Sequence, residues 1–211
     1  VGIEGLFSQH NARVVWGSFL VHYVAMKLLW DHEADVDAIL DEFYRKFFGP
    51  AEAPMRRWYE RLERQMMAAE EHFHGRILDS GQHVFTPELQ KALEADIAEA
   101  KRLFSQAPAT RENDLAQRRV QKMATLTEYT GRYVDLFQWR EKSERLKGDA
   151  RREALKQALE IATAIQQDTM TPPPGYEGIV RGYKPGAHFG FPFSLMRVEI
   201  RRLEKELGLR S

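Results

Sequence analysis

Residues 86–104 read TPELQKALEADIAEAKRLF, and this stretch carries a full set of helix signals. Thr86 is a residue type that caps helix N-termini, Pro87 suits the first helical position, and Glu88 puts an acid in the first turn. The apolar side chains recur every three or four residues, at Leu89, Leu93, Ile97, Ala100 and Phe104. This spacing places them on one face and predicts an amphipathic helix, which Pro108 ends.

The same helical period recurs along most of the chain. Stripes of this kind run from Val36 to Phe47, stopped by Gly49-Pro50; from Tyr59 to Phe73, ending near Gly75 or Gly81; from Val120 to Phe137, inside a long segment over about 112–146; from Leu155 to Ile165, after Gly148-Asp149; and from Met196 to Leu207, capped by Ser194 and closed by Gly208. The sequence therefore predicts an all-α bundle of about seven helices, in which residues 12–211 form the bundle domain.

The first helix of this bundle is predicted from Ala12 to Trp30, with Asn11 as its cap. Its stretch from Val14 to Trp30 is 17 residues long and holds only His22 and Lys27 as basic side chains. A membrane span needs about 20 apolar residues, so we predict no membrane span. A helix that is apolar nearly all round is expected to be buried in the centre of the bundle.

Two segments do not follow the helical period. Residues 1–11 start with two glycines among apolar residues, which predicts a short buried strand or an extended lead-in, and continue into a polar run. That run either faces a ligand or caps the next helix; its ligand-lining candidates are Glu4, Gln9, His10 and Asn11.

The second such segment, from Thr171 to Pro192, has five of the nine prolines and five of the fourteen glycines. Because it also holds four aromatic residues, we expect an ordered Pro/Gly/aromatic loop packed across the bundle before the last helix. Its polar and aromatic residues either cover the core or line a sugar or peptide surface. The ligand-lining candidates in this loop are Tyr176 and His188.

Composition excludes several classes of function. The 211 residues hold 31 Lys and Arg against 31 Asp and Glu, a balance that lacks the basic excess of nucleic-acid binders. There is no cysteine, so disulfides, thiolate metal sites and cysteine nucleophiles are excluded. The chain starts at Val1 without a signal-peptide pattern, and we expect a processed or excised piece of a protein that works outside the cytoplasm, secreted or periplasmic.

No motif predicts catalysis, a metal or a cofactor. The one histidine cluster is His72, His74 and His83, whose spacing does not put two imidazoles on one helix face. Glu71 and His74 match one half of a di-metal helical motif, but a second copy is missing. Phosphate-binding loops and nucleophile elbows are also missing from the sequence, so we predict no catalytic residue and no cofactor.

Part of the chain carries a resemblance to a known family. Its motifs are Gly2-Ile3-Glu4-Gly5-Leu6-Phe7, Lys27-Leu28-Leu29-Trp30-Asp31, Asp35 to Tyr44 (DVDAILDEFY) and Phe48-Gly49-Pro50-Ala51. In order and spacing they resemble a bacterial family of unknown function whose members are similar to glycoside hydrolases. The resemblance covers Val1 to Ala51, and it rests on helical character alone beyond that point.

The resemblance implies a position in a larger protein. In the family, a catalytic-type (β/α)₈ barrel is followed by a helical region; this order is also similar to that of alpha-glucuronidases, whose helical C-terminal domain contributes to dimer formation. It implies that residues 1–11 are the remnant of a barrel end and that the missing barrel is a partner. We expect a support region without activity of its own. The alternatives are a carbohydrate-binding part of an active glycosidase and an independent interaction module; a homodimer and a carbohydrate ligand are further expected partners.

Overall fold

The computed structural model describes residues 19–69, 77–176, 179 and 191–210, with the backbone alone for 77–80 and 191–195. The helices in these ranges are α1 (Phe19–Trp30), α2 (Val36–Phe48), a 3₁₀ turn (Gly49–Ala51), α3 (Glu52–Ala68), α4 (Ile77–Val84), α5 (Pro87–Phe104), α6 (Arg111–Arg145), α7 (Gly148–Met170) and α8 (Phe191–Glu206). The described residues contain no strand, and the predicted all-α bundle is confirmed. The predicted strand-like segment 1–11 lies outside them.

Helix α5 begins as the sequence predicts. The Thr86 hydroxyl oxygen accepts a hydrogen bond from the backbone N–H of Leu89 at 3.2 Å, and Pro87 is the first helical residue. The predicted apolar face is buried along its whole length, at Leu89, Leu93, Ile97, Ala100 and Phe104. Local capping chemistry and hydrophobic period therefore agree at this helix.

Helix α6 is the longest element, with 35 residues, and at a rise of 1.5 Å per residue it spans about 52 Å. Thr110 caps it by accepting a hydrogen bond from the backbone N–H of Asn113 at 3.2 Å. Its N-terminal half packs with α2, α3 and α5, and its C-terminal half packs with α7 and α8. The helix is therefore shared by two apolar clusters.

The two clusters divide the core. The first holds the largest buried side chains of α2, α3, α5 and the first half of α6: Phe43, Phe48, Met55, Trp58, Leu93, Phe104, Val120 and Met123. The second holds those of the second half of α6, α7 and α8: Tyr133, Leu136, Phe137, Leu155, Ile165, Met196, Leu203 and Leu207.

A buried carboxylate joins α3 to α5. Asp96 is 3% exposed, and its two oxygens accept hydrogen bonds from the Nε atoms of Arg57 at 3.0 Å and Arg61 at 2.7 Å. Arg57 also donates to Glu99 at 2.5 Å. Both lone-pair regions of Asp96 are therefore used, which is what a buried charge needs to be tolerated.

The predicted end of the third helix was wrong, and the helix after it was not predicted. The helix that contains Tyr59 ends at Ala68, whereas its end was predicted near Gly75 or Gly81. Met66, which was predicted to lie on the inner face of this helix, is half exposed. Helix α4 was not predicted, because eight residues give barely two turns of pattern.

The last helix confirms one predicted boundary and corrects the other. It begins at Phe191, so Ser194 lies inside it instead of capping it, and Pro192 falls in its first turn, where proline is tolerated. The predicted end of this helix at Gly208 is confirmed. Gly208 has φ 72°, and the N–H of Leu209 donates a hydrogen bond to the carbonyl oxygen of Glu204 at 2.9 Å. The left-handed conformation at Gly208 closes the helix as a Schellman-type end does.

The predicted central position of the first helix was wrong. In α1 no residue is buried, and the helix packs on α2 along one side only. Phe19 stacks on Phe47 with ring centroids 4.7 Å apart, and Tyr23 approaches Phe43 at 5.2 Å. The other side of α1 faces away from the described bundle. The predicted beginning of this helix, 12–18, lies outside the described residues.

Truncation of an apolar side chain is expected to destabilise the chain when the residue lies in α5 but not when it lies in α1. Leu93 is 1% exposed, so Leu93→Ala removes buried methyl groups and leaves a cavity at a cost of about 2–5 kcal/mol. Leu29 is 57% exposed, and Leu29→Ala should change the free energy of unfolding by less than about 0.5 kcal/mol. Urea denaturation of both variants measures this; an equal loss in the two would contradict the exposed position of α1.

Alkaline pH is expected to destabilise the bundle through its buried tyrosines. Burial raises the pKa of Tyr44 to about 12, an effect that the nearby Arg56 opposes. The folded pKa exceeds the unfolded value of about 10, so the associated stability is present below pH 10 and is lost as the pH rises through about 12. Tyr44→Phe should therefore flatten the fall in unfolding free energy above pH 10 by about 2 kcal/mol.

Denaturant midpoints between pH 8 and pH 12 test this expectation, with Phe47→Leu as the matched control. That variant changes a neighbouring ring that does not titrate, so its curve should run parallel to that of the unaltered chain. A Tyr44→Phe curve that also runs parallel would contradict the prediction.

Candidate functional site

Of the candidates from the sequence, the structure places Tyr176. Glu4, Gln9, His10, Asn11 and His188 lie outside the described residues, and their ligand-lining role stays a prediction.

Tyr176 is 6% exposed and packs on α6. Its hydroxyl accepts a hydrogen bond from Arg132 at 3.0 Å and donates to Glu128 at 3.5 Å, and its ring meets Tyr129 edge-on at 5.9 Å. Burial raises the pKa of Tyr176, and the charge of Arg132 opposes that rise. In this geometry the side chain covers the core.

The described start of the loop after α7 is held to α6 by further contacts. Lys122 Nζ donates to the carbonyl oxygen of Gly175 at 2.8 Å, and Ile179 is buried against Leu126. Arg132 also pairs with Asp168 at the end of α7. The expected ordered loop packed on the bundle is therefore seen up to Tyr176.

A cleft of about 340 Å³ lies between the α4–α5 junction and α6. Phe85, Pro87 and Phe137 give it an apolar part, while Arg140 and Glu144 stand among its polar groups. Arg140 Nε is 3.2 Å from Glu199 on α8, so that charge serves the packing of α6 against α8. Among the described residues no group of three or more His, Asp or Glu side chains is arranged to hold a metal ion.

The least expected feature of the described surface is the outer side of α1. Val21, Ala25, Met26, Leu29 and Trp30, which we call the α1 face, are all exposed, and Trp30 is 93% exposed. Val21, Ala25 and Leu29 form one ridge at a spacing of four, and Met26 and Trp30 form the neighbouring ridge. An apolar surface made of two adjacent ridges is the geometry with which a helix packs against a partner.

The inner side of α1 is tied to α2 by charge as well as by rings. Lys27 Nζ donates to Glu42 at 3.3 Å, and Lys46 donates to the same carboxylate at 2.7 Å. The hydrogen bond from Lys46, and to a smaller extent that from Lys27, lowers the pKa of Glu42. The hydrogen bond to Glu42 in turn raises the pKa of Lys27. The orientation of the α1 face toward the outside is thus fixed by contacts on the opposite side of the helix.

Directly after Trp30 comes a turn rich in acids, residues 31–37, which we call the acidic turn. Its four acids, Asp31, Glu33, Asp35 and Asp37, are exposed. Asp35 caps α2 by accepting a hydrogen bond from the backbone N–H of Asp37 at 2.9 Å. Within the described part of the chain, none of the four forms an ion pair with lysine or arginine. Glu33 lies 4.0 Å from the exposed His32 ring, and both side chains stay open to solvent, so the carboxylates are accessible to a partner.

Sequence reasoning missed the α1 face because it treated an apolar helix as a buried one. A helix that is apolar nearly all round gives no period from which an inner and an outer side can be told apart. The available signal was the run of acids that follows Trp30, since charged residues directly after an apolar helix indicate that its end reaches solvent.

Comparison with known proteins gives one family match. The model of a family described as a domain of unknown function (DUF4838) matches residues 1–61. The matched part includes α1, the acidic turn, α2 and the beginning of α3, together with the residues before α1. No curated protein and no solved structure matches the chain. No helix in the described ranges is long and apolar enough to cross a membrane.

Removal of one hydroxyl tests the packing role of Tyr176. Tyr176→Phe keeps the ring but loses the hydrogen bonds to Arg132 and Glu128, which should cost about 1 kcal/mol of unfolding free energy. Thr163→Val, which removes an exposed hydroxyl on α7, is the control and should cost less than about 0.5 kcal/mol. Unfolding midpoints in urea measure both; equal values for the unaltered chain and Tyr176→Phe would show that the hydroxyl does not hold the loop.

Proposed function

We propose that the chain is the helical region that follows a catalytic-type (β/α)₈ barrel in a glycoside-hydrolase-like protein. Its role is to bind and support that barrel, and it has no glycosidase activity by itself. The observation that carries this proposal is the α1 face, five exposed apolar residues that the described bundle leaves uncovered. A surface of this kind marks a site at which another protein surface packs.

The energetics favour coverage of the α1 face. Burial of a Val, Leu or Met side chain that is otherwise exposed contributes about 1.5–3 kcal/mol, and a tryptophan contributes through an even larger surface. The bundle gains none of this free energy from the described residues, since both core clusters close without the outer side of α1. A partner that covers the face would gain it.

The position of the α1 face also supports the proposal. The resemblance to the barrel-containing family rests on residues 1–51, and α1 lies within that stretch. The family match to residues 1–61 includes the residues on both sides of the helix. A barrel that precedes these residues would meet the bundle at this edge, and the α1 face is then the contact between the two.

Two rival functions differ in what they require. A carbohydrate-binding part of an active glycosidase requires an open sugar site at the loop 171–192, whereas Tyr176 at its described start is buried. An independent interaction module uses the α1 face without any barrel. The reading frame upstream of Val1 distinguishes the independent module from the other two functions: strand–helix units support the proposal and the carbohydrate-binding part alike, and a signal peptide directly before Val1 supports the independent module.

Activity measurements test the proposal on the chain itself. A retaining or inverting glycosidase needs two carboxylates about 5–9.5 Å apart across the scissile bond, and the barrel-end segment 1–11 supplies only Glu4. We therefore expect no hydrolysis in a panel of chromogenic aryl glycosides. Turnover that disappears in Glu4→Gln would contradict the proposal, because the chain would then hold a working catalytic carboxylate.

A further inference from the structure

We infer that the α1 face and the acidic turn form one docking surface whose partner is a protein surface with an apolar groove and a rim of lysine or arginine. This inference rests on the proposed function in one respect: that α1 binds another protein surface. It adds the chemistry of that surface, which neither the resemblance nor the family match supplies.

The apolar half of the surface has the form of a helix that lies in a groove. Val21, Ala25 and Leu29 give a ridge with a small residue at its middle, which lets a partner backbone approach closely there. Neither ridge of the face carries an acid or a lysine. A partner groove can therefore be apolar along the whole helix without leaving a charge buried and unpaired.

Trp30 is the anchor of this surface. It is the most exposed of the large apolar residues in the described chain, at 93%, and it stands at the last position of α1. Tryptophan is enriched among the residues that dominate binding energy, because it buries a large rigid area and can donate one hydrogen bond from its indole N–H. The partner groove is thus expected to end in a pocket that is deep enough for an indole ring.

The polar half of the surface sets the charge of the partner. Four exposed carboxylates follow Trp30 within seven residues, whereas the next acids along α2 are paired: Asp41 with Arg56 at 2.6 Å and Glu42 with Lys46 at 2.7 Å. A concentration of one charge beside an apolar anchor steers a partner of opposite charge and rejects one of like charge. Lysine or arginine at the rim of the groove, next to the Trp30 pocket, supplies that complement.

The carboxylates of the acidic turn argue against two other partners for this docking surface. An apolar helix that ends in tryptophan resembles a membrane-surface helix, but such helices carry lysine and arginine beside the apolar side, and acids are repelled by anionic lipid. A second copy of the chain would bring another α1 face that also has acids at its end. It would offer no basic rim in the described part of this surface.

Binding of two model helices to the chain tests the inference. The probes are labelled synthetic amphipathic peptides of equal length, with leucine on one face and either lysine or glutamate on the other. We expect the leucine–lysine helix to bind, with affinity that falls about three- to tenfold between about 50 and 200 mM salt. The leucine–glutamate helix should bind at least about tenfold more weakly.

Variants assign the binding to the proposed surface. Trp30→Ala should lower the affinity for the leucine–lysine helix by at least about tenfold. Val198→Ala, at an exposed apolar residue of α8, should leave this affinity unchanged. The double variant Asp31→Asn with Glu33→Gln should lower the affinity and flatten its salt dependence. Glu112→Gln with Asp114→Asn, the same chemical change at exposed acids of α6, should leave both unchanged.

Three outcomes would overturn the inference. Equal binding of both peptides, binding of neither, or full binding by Trp30→Ala would show that the surface does not select an apolar partner with a basic rim. A dimer in sedimentation that Trp30→Ala converts to monomer would assign the α1 face to a second copy, and Trp30-dependent binding to anionic vesicles would assign it to a membrane. An upstream reading frame without a barrel would defeat the proposed function alone, because the peptide binding would still stand.

Discussion

The burial of α6 between two apolar clusters is the constraint on which the rest of the described structure depends. Residues in its first half, such as Val120 and Met123, belong to the cluster with α2, α3 and α5, while Leu136 and Phe137 belong to the cluster with α7 and α8. Polar contacts fix its rotation: the Trp58 indole N–H donates to Thr127 Oγ1 at 3.0 Å, and Arg140 Nε is 3.2 Å from Glu199.

A close approach at Gly131 completes this arrangement. The Gln90 amide lies so near α6 that a Cβ at position 131 would sit 2.8 Å from its Nε2 atom. That amide donates to the carbonyl oxygen of Thr127 at 3.0 Å and to Glu94 at 2.7 Å, which ties α5 to the middle of α6. Both apolar clusters thus form around α6, and α1 packs on α2 at the edge of the first cluster.

Sequence predicts those parts of the fold in which local chemistry and hydrophobic period agree. Helix α5 begins where it was predicted because Thr86, Pro87 and the apolar stripe give the same answer, and it ends at Phe104, the last residue of that stripe, four residues before Pro108. Helix α6 is correct to within one residue at each end because its stripe is long. The predicted start of α8 at Ser194 was wrong because serine is a common capping residue, whereas Pro192 is allowed in a first helical turn and the helix begins before it.

The candidate site was harder to predict than the fold. Apolar content alone cannot distinguish a helix that is buried inside its own domain from one that lies on the surface, and α1 lies on the surface of the described structure. Exposure is a property of the tertiary arrangement, because it depends on which residues distant in sequence reach the helix. The acids after Trp30 carry local information, but only the fold shows that they border an uncovered apolar face.

The outer side of α1 is open in this chain, and the proposed function requires that a barrel covers it in a longer polypeptide. Hydroxyl-radical footprinting of Met26 and Trp30 tests it most directly, with Met67 on α3, which is 80% exposed, as the internal reference. We expect both α1 residues to oxidise as readily as Met67 in the chain alone. Under the proposed function, they become protected relative to Met67 in a polypeptide that is extended upstream of Val1 by a barrel. Equal reactivity in the two proteins, or protection already in the chain alone, would contradict the account.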